Sequence, residues 1–272
     1  MTTQLTVFAS PEAEAAGRIA ETVASLPVSL HPAAEGADLV GVAGDAGWTE
    51  SVERAIRAGA RGVLVVDPVA EDVAALRARV EETGVPVVLD SPWAHNPAVL
   101  EAAGVLAERN DAETLLEVRV DLPVGADLDR VLLGQLALVR AVAGPVVELH
   151  FDRRSRTGYD AIGVLASGAR LNLTAILSNG LQAGASVRVI RATDAVRLTV
   201  PDPGTAAPGR LIVSDAEGAT LRTTKWESSH RVAWRRLHER VTTGSPWSEL
   251  DCFEQDLAVA AQAHEHDGAS VR

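Results

Sequence analysis

The stretch LVGVAGDAGWTESVERAIRAGARGVLVVDP, Leu39 to Pro68, constrains the fold more than any other part of the chain. It reads as an apolar strand, a glycine-rich turn, an amphipathic helix and a second apolar strand. Strands this apolar are covered on both faces, and the strand–helix–strand order makes them parallel. The flanking sequence repeats the pattern. LTVFA is a short buried strand. Ser10 then caps a helix, with Pro11 and Glu12 in its first turn, where both are favoured. PVAEDVAALRARVEETG is a periodic helix that Gly84 stops, and VPVVLD is a further buried strand. The first third of the chain is therefore α/β, a doubly wound parallel sheet.

A strand, a glycine-rich turn and a helix also begin a dinucleotide-binding unit, where backbone N–H groups at the helix N-terminus meet a pyrophosphate. Here Gly41, Gly44 and Gly47 are spaced G-x-x-G-x-x-G rather than G-x-G-x-x-G. Asp45 sets a carboxylate where the phosphate would sit, which is repulsive unless a cation intervenes. Asp67 can accept a ribose hydroxyl, but it follows Gly41 later than the roughly 20 residues expected. These residues favour an ordinary strand-to-helix turn over a phosphate cradle.

After Pro92 the pattern changes. ADLDRVLLGQLALVRAVA is an unusually apolar helix over about 126–143. Seven strands follow, PVVELHFD, YDAIGVLA, ARLNLTAILS, ASVRVIRA, AVRLTV, GRLIVSD and ATLRTT. Several are joined by turn residues such as Ser167-Gly168 and Thr193-Asp194, and alternation such as VRVIR marks an antiparallel sheet with one covered face. Two helices close the chain, about Arg231–Val241 and Ser248–His264. The expected organisation is an α/β domain over residues 1–92 and an α+β domain over 93–272, with a broad, mostly antiparallel sheet and flanking helices.

At 272 residues the chain is long enough to build its core without a disulfide or a metal. Its net charge of −12 argues against nucleic acid and anionic membrane as partners. Cys252 is the single cysteine, which excludes an internal disulfide and a cysteine-based zinc site and fits a reducing cytoplasm. MTTQLTVFAS lacks the basic and apolar segments of a secretory signal, and no apolar run approaches the roughly 18 residues of a membrane span.

The order of elements resembles the Gfo/Idh/MocA oxidoreductases, NAD(P)-dependent dehydrogenases of sugars and polyols. AIRAGARGVLVVDPVAEDVAALRARVEETGVPVVLDSPWAHNP resembles the family's strand carrying Glu-Lys-Pro, the helix after it and the segment at the domain junction. RLHERVTTGSPWSELDCFEQDLAVAAQAHEHDGASVR resembles its C-terminal helices and final strand. The resemblance implies a Rossmann-like sheet, a sheet domain that makes homodimers or higher oligomers, and NAD(P) as the cofactor if any is bound. TVFASPEAEAAGRIAETV looks like the family's second strand and helix, as though the first βα unit were missing.

The family's reactive groups are replaced. Glu-Lys-Pro becomes Val66-Asp67-Pro68, and a carboxylate cannot stand in for an ammonium. On the apolar helix, Arg130 and Gly134 occupy the places of the family's catalytic Asp and His, so no general base stands there. No residue is assigned a catalytic role. The expectation is a non-catalytic homologue acting as a binding or partner subunit, pairing with itself or with an active family relative. The alternatives are an NAD(P)-dependent sugar or polyol oxidoreductase with a rearranged site, and a sugar- or cyclitol-binding sensor. For a cofactor, Gly44, Asp67 and Pro68 are the candidate contacts. For a substrate they are Trp93, whose face can stack on a sugar, His95, which can exchange hydrogen bonds with hydroxyls, and Arg130, which can pair with Asp67. Packing of Trp93, solvation of His95 and a surface position for Arg130 are the bland readings of the same residues. His264 and His266 suggest a metal but diverge at a helix end, so no metal is expected.

Overall fold

The computed structural model describes residues 4–34, 36–107, 111–205, 207–244 and 248–269, with the side chains of 266–269 left undescribed. The chain divides into two compact units. The first comprises Met1–Pro92 and Ser229–Glu254, the second Trp93–Ser228 and Gln255–Arg272.

In the first unit, β1 (Leu5–Ala9), α1 (Pro11–Gly17), α2 (Ile19–Ala24), β2 (Leu30–Pro32), β3 (Leu39–Ala43), α3 (Trp48–Arg57), β4 (Gly62–Val66), α4 (Ala74–Thr83) and β5 (Val87–Asp90) follow one another. The sheet is parallel throughout, in the order β2-β1-β3-β4-β5. The pleat divides its side chains between two faces. Leu5, Val7, Leu39, Leu64 and Val88 point into one core with Ile19 and Val23 of α2. Phe8, Val40 and Val42 line the opposite face beside α3.

A six-stranded doubly wound sheet runs 3-2-1-4-5-6. Here the sheet has one strand fewer, and its order reverses between β1 and β3.

The second unit holds α5 (Pro97–Leu106), β6 (Leu115–Leu122), α6 (Leu128–Ala143), β7 (Val146–Ser155), β8 (Gly158–Leu165), β9 (Arg170–Leu177), β10 (Gly184–Ile190), β11 (Ala195–Pro201), β12 (Arg210–Asp215) and β13 (Gly218–Leu221). Eight strands form one sheet in the order β13-β12-β11-β10-β6-β9-β8-β7, antiparallel except for β6 beside β9. One face packs under α5 and α6 through Val99, Leu106, Leu132, Leu136 and Val139. The other carries Arg119, Asp121 and a 2.9 Å ion pair between Arg188 and Glu117.

The last two helices, α7 (Ser229–Thr243) and α8 (Leu250–Ala269), alter the expected division of the chain. The sequence reading places all of 93–272 in the second domain. Instead α7 returns to the first unit, because Ala233, Trp234 and Leu237 complete the core around Leu5, Leu39 and Leu64. Glu249 is fixed there too, accepting from Leu89 N at 2.8 Å. No helix among the described residues is long and apolar enough to cross a membrane.

Candidate functional site

In an open α/β sheet, ligands bind outside the carboxyl ends of the strands where the strand order reverses. In the first unit that point lies between β1 and β3. The turn after β1 is Ala9-Ser10-Pro11-Glu12. Ser10 Oγ accepts the Ala13 N–H at 3.2 Å, Pro11 has no N–H to offer, and Glu12 brings negative charge. Of the three tasks that the glycines of a dinucleotide turn perform, one survives. A Cβ at Gly17 would come within 2.9 Å of Val66, so this glycine lets α1 lie close on the sheet.

The glycine-rich turn after β3 is explained residue by residue. A Cβ at Gly41 would meet Ile19 at 2.7 Å and Trp234 at 3.4 Å, so Gly41 serves packing. One at Gly44 would lie 2.4 Å from the backbone of Pro68, because Gly44 N–H donates to Val66 O at 2.8 Å and Gly44 O accepts from Val69 N at 2.7 Å. Gly47 caps α3 with φ of 85°, a left-handed conformation that favours glycine. The N-terminus of α3 is then filled from within the protein. Glu71 accepts from Gly47 N, from Thr49 N at 3.2 Å and from Thr49 Oγ1 at 2.9 Å. A helix N-terminus attracts an anion, and here the anion is the protein's own side chain.

Gly44, Asp67 and Pro68 meet at the ends of β3 and β4. Asp67 is left-handed, with φ of 48°, a conformation that Asp tolerates better than most residues, and its N–H donates to Asp90 O at 3.0 Å. Beside it lies a buried polar cluster that the sequence did not signal. Asp90 ends β5 with no exposed surface, and its Oδ2 is 2.6 Å from Nδ1 of the buried His230 in the first turn of α7. Asp90 Oδ1, Ser91 Oγ and Ser229 Oγ are buried without a hydrogen-bond partner among the described residues.

A cavity of about 700 Å³ opens along the free face of β1 and β3 against α3. Its wall is apolar around Phe8, Val40, Val42 and Ala55. Glu12 and Asp45 line it at the strand ends, and Arg54, bonded to Ser51 Oγ at 2.9 Å, lines it on α3. Its size and mostly apolar surface are those of a small-molecule pocket. The sequence marked Glu12 and Asp45 individually. That Phe8 and Val40 would be left uncovered depends on the strand order.

The remaining candidates lie in the second unit. Trp93, 2% exposed, belongs to its hydrophobic core, and His95 is buried beside the Asn96 cap of α5. His95 is thus not a solvated loop residue. Arg130 stands in the first turn of α6, with its Nε buried, and Gly134 is buried farther along the same helix. The polar group in the middle of α6 is Gln135, which accepts from Tyr159 Oη at 2.5 Å and donates to Thr174 O at 3.0 Å. Burial pushes the Tyr159 hydroxyl well above its ordinary range. His264 meets Arg154 and Asp129, and no group of metal ligands occurs among the described residues. The side chain of His266 lies outside them.

No protein-family model matches the chain, and no curated protein matches it. Solved structures do. The oxidoreductase from Sinorhizobium meliloti superposes with a TM-score of 0.79 at 12% identity, covering 99% of both chains. An oxidoreductase from Agrobacterium radiobacter, in complex with NAD+, L-tartaric acid and magnesium, gives 0.71 at 14% identity, covering 99% of this chain and 98% of that one. KijD10, a 3-ketoreductase from Actinomadura kijaniata in complex with NADP, gives 0.66 at 19% identity, covering 95% and 86%. At these identities the likeness establishes the fold, a Rossmann-like parallel sheet followed by a mostly antiparallel one, as in NAD(P)-binding oxidoreductases.

Proposed function

We propose that this chain is a non-catalytic homologue of the Gfo/Idh/MocA oxidoreductases, acting as a binding or partner subunit. The observation that carries the reading is the occupancy of the switch point by the protein's own groups. Ser10 caps α1, Glu71 fills the N-terminus of α3, and Glu12 and Asp45 stand at the strand ends. A pyrophosphate brought there would find these N–H groups taken and carboxylates facing it. Two of the similar structures hold NADP or NAD+, and this chain offers a cradle neither in the turn after β1 nor in the glycine-rich turn after β3. Where the resemblance calls for Lys, Asp and His, the chain has Asp67, Arg130 and Gly134: Asp67 replaces the cation by an anion, and neither Arg130 nor Gly134 can take a hydroxyl proton while hydride leaves. A partner subunit would associate with a second copy or with an active relative through the broad sheet.

The test is a titration of the purified protein with NADH and NADPH to millimolar concentration. Tryptophan fluorescence is the readout, because Trp48 follows Gly47 directly, and turnover of a panel of sugars and polyols is assayed in parallel. The expected result is neither saturable quenching nor turnover. Saturable binding with substrate-dependent oxidation or reduction of the nicotinamide overturns the reading.

A further inference from the structure

The cavity beside α3 lies on the sheet face shared by β1 and β3. Parallel sheets of this kind are ordinarily covered on both faces. Here Phe8 stays 38% exposed on β1, which is not an edge strand. The result is a pocket with a sheet floor, a helical side wall and an apolar lining.

Its charge indicates what it accepts. At the strand ends, where this fold ordinarily meets phosphates, Glu12 and Asp45 line the cavity and Glu71 sits on the neighbouring helix N-terminus. Both helix N-termini there are already capped, so their partial positive charges are spent on the protein itself. Arg54 lies about 9 Å farther down α3 from Trp48, at a rise of about 1.5 Å per residue. The mouth is therefore anionic and the middle apolar.

We propose that this cavity binds an organic amine, its apolar body against Phe8, Val40, Val42 and Ala55 and its ammonium at Glu12 and Asp45. The assignment rests on the reading that no dinucleotide occupies the switch point. It is also independent of any chemistry by the protein, since the pocket offers an apolar wall and opposite charge rather than reacting groups.

Three probes with one apolar body separate the contributions: 4-phenylbutylamine, 4-phenylbutan-1-ol and 4-phenylbutyrate, titrated by calorimetry into the full chain. The amine should bind tightest, about fivefold above the alcohol for two exposed carboxylates, and the butyrate weakest. The double variant Glu12→Gln/Asp45→Asn should bring amine and alcohol to equal affinity. Ala55→Leu, which fills the wall with a good helix former, should weaken both at least tenfold. Equal binding of amine and alcohol to the unaltered protein overturns the charge assignment. Binding indifferent to Ala55→Leu overturns the location, and silence of all three probes overturns the site. NADPH is titrated alongside. If it binds and displaces the amine, the dinucleotide-free reading falls and this assignment falls with it. If NADPH and the probes are all silent, only the amine site is refuted.

Discussion

Replacing His230 by phenylalanine removes the imidazole and leaves the Asp90 carboxylate with no exposed surface. Its Oδ2 then loses the contact at 2.6 Å, and its Oδ1 has no partner among the described residues to begin with. Breaking a buried pair by deleting one partner costs about 3–5 kcal/mol. Asp90→Asn removes the charge and retains a neutral hydrogen-bonding group, so its cost should be nearer 1 kcal/mol. In the Asp90→Asn background the His230→Phe change should in turn cost far less than it does alone, because no buried charge is stranded. The pair joins the end of β5 to the first turn of α7, so the loss should appear locally. Amide exchange followed by mass spectrometry on peptides from α7 reads that opening equilibrium. A penalty of this size raises opening by roughly two to three and a half powers of ten. A shift of less than tenfold, or equal shifts in both backgrounds, would refute the idea that a buried ion-type contact fixes α7.

Four other outcomes follow from the same geometry. Gly44→Ala should cost more than about 3 kcal/mol, since the new methyl meets Pro68 backbone at 2.4 Å, while Gly47→Ala, strained at φ of 85° but in open space, should cost about 1 to 2 kcal/mol; equal urea midpoints contradict this. Glu71→Ala should lower stability by about 1 to 2 kcal/mol through the uncapped N-terminus of α3, read as a urea midpoint shift, and an unchanged midpoint counts against the cap. Asp38 is held below its ordinary pKa first by the Thr6 N–H, with Thr6 Oγ1 and Arg61 adding to the effect against burial. A native pKa below the unfolded one contributes stability that is complete above about pH 4 and lost as pH falls through the native value. Asp38→Asn should therefore flatten the acid limb of stability measured from pH 6 to 3, and parallel curves would exclude the carboxylate as its source. On β1, Val7→Thr should cost about 2 kcal/mol and Phe8→Thr less than about 1 kcal/mol, because Val7 is 3% exposed and Phe8 faces the cavity; equal losses in a urea titration would mean that both faces are packed.

What the sequence disclosed and what it withheld differ in range. β3, α3, β4 and β5 are legible because apolar runs and a helical period are local signals. So are the strands from β7 to β13 and the apolar α6. The reading assigns no element between Pro92 and residue 126, yet α5 there begins with an Asn96-Pro97 cap and β6 alternates as LLEVRVDL, both legible signals. The pairing of β6 with β9, parallel and in the middle of the sheet, is not local and leaves no mark in either strand. The candidate site divides in the same way. Glycine spacing and Asp45 were enough to question the cradle. The carboxylate that fills it, Glu71, is remote from Gly47 in sequence, and His230 is farther still from Asp90. Trp93 and His95 read as cleft residues because they stand at the junction where the resembled family has its cleft, and burial in the second unit becomes visible only when α5 is in place.

The filled cradle and the uncovered sheet face are two consequences of one strand order. A sheet whose order reverses between β1 and β3 keeps a switch point, and with it a place where helix N-termini converge. Such a place either binds an anion or must be neutralised, since unsatisfied N–H groups are costly to leave. Glu71 and Ser10 neutralise it. On the sheet face beside α3 the reverse holds, and Phe8 stays exposed where a doubly wound sheet is normally closed. The strand ends thus present carboxylates, and the sheet face beside α3 presents the apolar wall of Phe8, Val40 and Val42. On the proposed reading, dinucleotide binding would require more than three glycines: removal of Glu12, Asp45 and Glu71 from the anion's path as well.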